Sequence, residues 1–316
     1  MDFGKGIKDI DEIMKIILEY HMVDYISHDH TNINIYPDYF EQQLRCIKEH
    51  FQLLPYEELI WGADHGGVQL AITFDDVFNG FQDKVYPLLV KYEAPALLFL
   101  TAQYAAHPQE FWMNELARLL LDGRKYQSEF LFRHPSYDYV FSTASYQERT
   151  ELYHNLKFIL SSLNRQEREQ CMEQVRNWAG MQSEVQKEYL PLDIDYCREI
   201  RKDPLISFGA HTVSHGRLGE LSYEEQREEI EESRIFLEYK LQREIQHFAY
   251  PFGSYNRMTK DILVEQHFRS ACSSRQGCLQ GKESEVLELP RLIPPNVGKA
   301  EFLKWIKQLL LQSKSM

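Results

Sequence analysis

The order of apolar and polar positions along the chain alternates strand-like runs with helical stripes. KIILEYHMV (15–23) is a continuous apolar run ending in polar residues, which predicts a buried strand after a short amphipathic opening around Ile7, Ile10 and Ile13. PDYFEQQLRCIKEHF (37–51) puts Phe40, Leu44 and Ile47 on one helical face. VQLAITFDD (68–76) predicts a strand that stops abruptly at two carboxylates. FQDKVYPLLVKY (81–92) reads as the helix returning from it, started or broken near Pro87, and APALLFLTA (94–102) as the next strand. Strand texture returns at PLISFGAH (204–211), followed by a helix with a capping-box start, Ser222 and Glu225, and a stripe of Ile230, Leu237 and Leu241. IQHFAYPFG (245–253) predicts a strand running into a turn, and the chain closes on an amphipathic helix carrying Phe302, Ile306, Leu309 and Leu310. Strands alternating with helices predict an α/β architecture of βα units.

Between residues 103 and 202 the texture changes to Glu, Gln, Arg, Tyr and Leu at helical spacing. Only SEFLF (128–132) and YDYVF (137–141) offer strand there. So long a stretch predicts a mainly helical insertion inside one domain spanning 1–316, rather than a loop.

Composition narrows the partners. With 316 residues, 43% hydrophobic and 26% charged, the chain has the make-up of a large folded domain. Its 35 basic and 48 acidic side chains leave a net charge of −13 with no basic block, which argues against nucleic acid or an anionic membrane surface as partner. No stretch approaches the about 18 apolar residues of a membrane span. The opening MDFGKGIKDIDEIM mixes acids among its apolar residues and does not read as a secretory signal. The five cysteines are odd in number and lack a CxxC pair, as suits a reducing compartment, so a cytoplasmic protein is expected.

Three constellations offer chemistry. Asp75 and Asp76 end the LAITF strand. Adjacent strand residues point to opposite sides, so the pair shares a pocket only if the strand ends there, as at the C-terminal mouth of a βα barrel; otherwise it is a solvated pair capping the next helix. His211 and His215 of GAHTVSH are four apart, a spacing that on a helical turn puts both imidazoles on one side, within reach of a divalent cation. They follow PLISF as the Asp pair follows LAITF, and Asp plus two His make a facial triad with room for water. Tyr250, Pro251, Phe252 and Gly253 form either a plain strand terminator or a rigid turn whose N–H groups line an oxyanion pocket.

In that order, ITFDD, GAHTVSH and FAYPFG resemble the successive motifs of the NodB-homology polysaccharide deacetylases, carbohydrate esterase family four, and FRSACSSRQG with LPRLI is similar to the C-terminal part of bacterial members. The matching core covers roughly 15–102 and 203–295. The resemblance implies a distorted (β/α)7 barrel, with Asp76, His211 and His215 holding one divalent metal ion, most plausibly Zn2+, and Asp75 as catalytic base. It also implies an N-acetylated glycan or sugar as substrate, hydrolysed to acetate and free amine. The Phe252 N–H would steady the oxyanion, and Tyr250 would offer a face to the sugar. Other C–N bonds, in formamido sugars or ureides, suit the same site, and a glycan-binding pseudoenzyme is the rival of another class.

Two departures shape the reading. Where the family carries an Arg before the third motif's Pro, this chain has Ala249, and Arg291 of ELPRLIP is the substitute expected to hold Asp75. The usual C-terminal acid His is absent, since no His follows His267. LEYHMV (18–23) is similar to the N-terminal LxYHxV of the circularly permuted poly-N-acetylglucosamine deacetylases, so His21 is expected to be the general acid. The alternative, His247, should lie down inside its strand.

Overall fold

The structure is a computed structural model that describes residues 13–26, 29–64, 66–122, 126–134, 136–180, 186–279 and 285–313. Ile7 and Ile10 of the amphipathic opening fall outside them. Seven strands make the barrel: β1 (Met14–Tyr20), β2 (Val68–Asp75), β3 (Ala96–Leu100), β4 (Ile206–Ala210), β5 (His247–Ala249), β6 (Ser270–Gln276) and β7 (Leu289–Arg291). Neighbours in that order pair parallel, with a register shift between β6 and β7. The ring closes where Leu292 N–H donates to Ile17 O and Glu19 N–H to Leu292 O, both at 2.9 Å.

Parallel strands are covered on both faces, which is why their sequences read as unbroken apolar runs; all of β2 is buried. Alternation then separates two cores. Ile17, Ala71, Leu97, Phe99, Ala249, Cys272 and Leu289 fill the barrel interior, with Tyr56 and Leu59 beside them. Ile16, Leu18, Leu70, Ile72, Phe74 and Phe248 face the helix layer, where helix α1 (Pro37–His50) brings Phe40, Leu44 and Ile47 and the closing helix brings Phe302 and Ile306. The returning segment at 81–92 is a wide turn (Phe81–Val85) followed by the helix Tyr86–Lys91, with Pro87 in its first turn, where a missing N–H is harmless.

The stretch after β3 has its own apolar cluster, built on Phe111, Leu116, Leu120, Leu152, Leu156 and Met172. Its helices are α2 (Trp112–Leu121), α3 (Tyr146–Ser161) and α4 (Arg165–Ala179), and the two strand-like segments form an antiparallel hairpin, Glu129–His134 with Tyr137–Ser142. The share of 103–202 that belongs to this unit is smaller than expected. Leu192, Ile194, Cys197 and Ile200 pack into the barrel's helix layer, so the helix Ile194–Ile200 is the barrel helix feeding β4. After β4 comes α5 (Tyr223–Leu241), started by the capping box of Ser222 and Glu225. No helix among the described residues is long and apolar enough to cross a membrane.

Candidate active site

Alternation along the strands also builds the site. The positions in register with the interior cluster are, at the C-terminal mouth, Glu19 from β1 and His21 just beyond it, Thr73 and Asp75 from β2, His211 just beyond β4, and Arg291 from β7. That mouth is where βα barrels gather their chemistry.

Asp75 is held by a buried guanidinium. Arg291, 1% exposed, donates from Nη1 to Asp75 Oδ1 at 2.6 Å and from Nη2 to Oδ2 at 2.7 Å. It also donates to Ser273 O and Thr73 Oγ1, at 3.2 and 3.3 Å, and its Nε lies 3.3 Å from Glu19 Oε2. Burial alone would raise the Asp75 pKa, but the charge and fork of Arg291, together with His211 and His21, outweigh it and bring the carboxyl down to about 2.

Asp76 reaches the same mouth only because the strand stops. Its φ is 62° and that of Val77 is 43°, a left-handed kink that turns the second carboxylate back to the first's side. Asp76 Oδ1 lies 3.3 Å from His215 Nε2 and 3.8 Å from His211 Nε2, and Thr101 Oγ1 donates to it at 3.4 Å.

The two histidines do not share a helical turn, contrary to the spacing argument. Residues 211–217 form a loop in which Thr212 and His215 have φ of 64° and 57°. Loop geometry supplies the convergence that a helix was expected to give. Side chains hold that loop: His215 N–H donates to Thr212 Oγ1 at 3.0 Å, and Glu229 of α5 accepts the Val213 and Ser214 N–H groups at 2.9 and 2.8 Å and the Ser214 hydroxyl at 2.6 Å. From the insertion, Arg168 donates to Ser214 O and Oγ at 2.8 and 2.6 Å, and Trp112 Nε1 to His215 O at 3.2 Å. His211 Nδ1 donates to Ala249 O at 2.8 Å, which fixes the tautomer and leaves Nε2 as a lone pair facing Asp76. Removing the strut, Arg168→Met, is expected to lower divalent-metal affinity by about 10–100-fold with the fold intact; titration calorimetry beside a thermal melt checks it.

His21 groups with Asp75 rather than with Asp76. Its Nε2 is 3.5 Å from Glu19 Oε1, its Nδ1 has no hydrogen-bond partner among the described residues, and Glu19, His21 and Asp75 each bring a ligand atom within 4.8 Å of the others. Burial lowers the His21 pKa to about 4, Asp75 opposing, and burial raises Glu19 to about 7 despite Arg291. His247 lies at the other end of the barrel, where its Nδ1 meets Ser270 Oγ at 3.0 Å and its Nε2 meets Glu57 at 3.1 Å.

Tyr250 does not offer a sugar-stacking face. It is 1% exposed, its hydroxyl donates to Leu287 O at 2.7 Å and its ring stacks on Tyr255 at 4.4 Å. The reason is register: Tyr250 follows Phe248 to the helix side, while Ala249 points inward. Pro251 is buried, and Phe252, at φ 56°, sets its ring 4.8 Å from that of His215. Gly253 must stay glycine, since with φ 60° a Cβ would lie 1.8 Å from Ser274 Oγ.

Glu19, Arg168, Glu229 and Trp112 were not singled out from the sequence. Glu19 carried a signal, a carboxylate inside an apolar strand two residues before His21 and therefore on its face. The others act through loop contacts that no local pattern encodes.

The donor set suits a divalent cation. Asp76, His211 and His215 each present one ligand atom within 4.8 Å of the others, all buried. Burial and then the charge of Asp75 push the Asp76 carboxyl well above its ordinary value, and burial holds both imidazoles low. Of the three buried acids at the mouth, Glu19 and Asp75 meet the guanidinium of Arg291, while Asp76 faces His211, His215 and Thr101. A charge of +2 beside Asp76 would favour its ionised form.

Residues 63–152 and 153–271 match the family described as Polysaccharide deacetylase. No curated protein matches the chain. Among solved structures, the fold is similar to Streptococcus pyogenes deacetylase PplD in complex with acetate, at 20% identity and TM-score 0.60, covering 94% of this chain and 97% of that one. IcaB from Ammonifex degensii is similar at 16% identity and TM-score 0.56, covering 92% and 96%. The de-N-acetylase from Aggregatibacter actinomycetemcomitans is similar at 11% identity and TM-score 0.58, covering 92% and 99%. At these identities the likeness is one of fold, the nearly closed seven-stranded barrel with its helices. The family match spans most of the chain, both sides of the insertion included, and the chain is a member of the polysaccharide deacetylase family.

Proposed function

We propose that this chain is a metal-dependent N-deacetylase that removes acetyl from an N-acetylated sugar or glycan. The observation that carries the reading is the pairing of two buried groups: Asp75 forked by Arg291, beside the Asp76, His211 and His215 donor set. Those three residues would hold the ion, and imidazole with carboxylate makes zinc the first choice among divalent metals. A bound divalent cation supplies Lewis-acid polarisation of the acetamide carbonyl and acidifies water.

The chain's own residues manage the proton. Asp75, kept ionised and aimed by Arg291, takes a proton as water attacks the acetyl carbon. Tied to a guanidinium, Asp75 is a weak base, so that proton moves on to His21, whose imidazole binds it more tightly and lies in the same cluster. His21 hands it to the departing nitrogen as the C–N bond breaks. The products are acetate and a free amine, and the water is consumed. The Phe252 N–H, in a turn fixed by Gly253, is the protein donor proposed for the oxyanion. The cysteine usage favours a cytoplasmic substrate, and 1–316 is read as one domain with an insertion bracing the His215 loop.

The test is amine release from N-acetylglucosamine oligomers, with formamido sugars and ureides as parallel arms. Activity should fall on chelation and return with stoichiometric zinc. Full turnover by rigorously metal-free protein would end the reading, and turnover confined to a parallel arm would reassign the substrate.

A further inference from the structure

On the insertion side of the His215 loop lies a cavity of about 450 Å3 that none of the proposed catalytic groups lines. Four guanidinium groups, Arg118, Arg165, Arg168 and Arg176, face three carboxylates there, Glu110, Glu115 and Glu169. The carboxylates are already engaged. Glu110 accepts three bonds from Arg118, two from Nε and one from Nη2, and Arg176 takes both Glu115 and Glu169. The closest partner of Arg165, at 3.5 Å, is Glu232, which does not line the cavity. Arg168 is 4% exposed and has no carboxylate within 4.0 Å among the described residues.

Two buried polar atoms of the wall also lack partners among the described residues: Arg118 Nη1, a donor on a side chain only 10% exposed, and Gln103 Oε1, an acceptor. Leaving such groups buried and unmatched is unfavourable. A ligand that satisfies both needs an oxyanion for the guanidinium groups and a hydroxyl for the amide oxygen. The volume lies within the about 300–1,000 Å3 of small-molecule sites, and the indole of Trp112 gives one apolar wall.

We propose that this cavity binds a small hydroxylated anion, a saccharide bearing a phosphate or a carboxylate. The site stands apart from the deacetylation reading and does not depend on it. It is coupled to the loop below, because Arg168 and Trp112 line the cavity and also hold Ser214 and His215. An occupant drawing on Arg168 changes the support of the second imidazole.

Titration calorimetry on the full chain with glucose 6-phosphate, glucuronate and glucose tests it. At least one anionic sugar should bind saturably and about 10-fold or more tighter than glucose, the two arms telling phosphate from carboxylate. Arg118→Lys keeps an ion pair with Glu110 but removes the unmatched N–H, and should weaken binding about 10-fold at unchanged melting temperature. Gln103→Leu should weaken it as well, and Asp75→Asn should leave it unchanged. No saturable binding of either anionic sugar, equal affinity in Arg118→Lys, or loss of binding in Asp75→Asn would overturn the proposal.

Discussion

Alanine at position 21 is expected to lower turnover by about two to four orders of magnitude while metal affinity stays at the wild-type value. The imidazole is not in the Asp76 group, so its removal leaves the ion's ligands untouched. It stands beside Asp75, and an amide nitrogen leaves poorly unless protonated. At rest His21 is neutral near pH 7, since burial holds its pKa to about 4. On the proposed mechanism its proton is therefore the one Asp75 takes from water. A solvent isotope effect on kcat should accordingly weaken in His21→Ala, where proton delivery to nitrogen falls to bulk water. Full turnover in that variant would remove His21 from the mechanism and with it the permuted reading of LEYHMV.

Arg291→Met is expected to destabilise the fold by about 3–5 kcal/mol, because it strands two buried carboxylates, Asp75 and Glu19, without their shared cation. The pH dependence has a definite sign. In the wild type the Asp75 carboxyl, brought down to about 2 from an ordinary 3.8, contributes stability above pH 4 that is lost as pH falls through 2. Without the guanidinium, burial raises that pKa instead, and the acid limb of the kcat profile moves to higher pH. Arg291→Lys should recover part of the stability but not the fork, since one ammonium cannot meet both oxygens. Denaturant titration with pH–rate profiles decides it. A methionine variant with wild-type stability and an unmoved acid limb would show that Asp75 is held by other means.

Five of the barrel strands could be read directly, because strands covered on both faces spell apolar runs. β6 and β7 could not. SACSSRQ is buried only over its first four residues and includes three serines, and LPR carries a proline that argues against an inner strand. Both belong at the closing seam, where pairing is short and shifted. The candidate site residues came from strand ends and motif order, which mark where groups emerge but not how the backbone turns. Hence the helix imagined for His211 and His215, and the exposed ring imagined for Tyr250. Carrying the alternation from the inward Ala249 one residue further would have sent Tyr250 outward.

The closing seam bears on how the site comes into being. Asp75 and Arg291 are 216 residues apart, and the strand that supplies the guanidinium is also the last one to complete the ring. A contact of such sequence separation is expected to form late, after the loop-closure entropy of about two thirds of the chain has been overcome. On the proposed mechanism, deacetylation is expected to be silent in every form that lacks the Asp75–Arg291 pair, and regained activity is expected to report ring closure itself, not the earlier gain of helix.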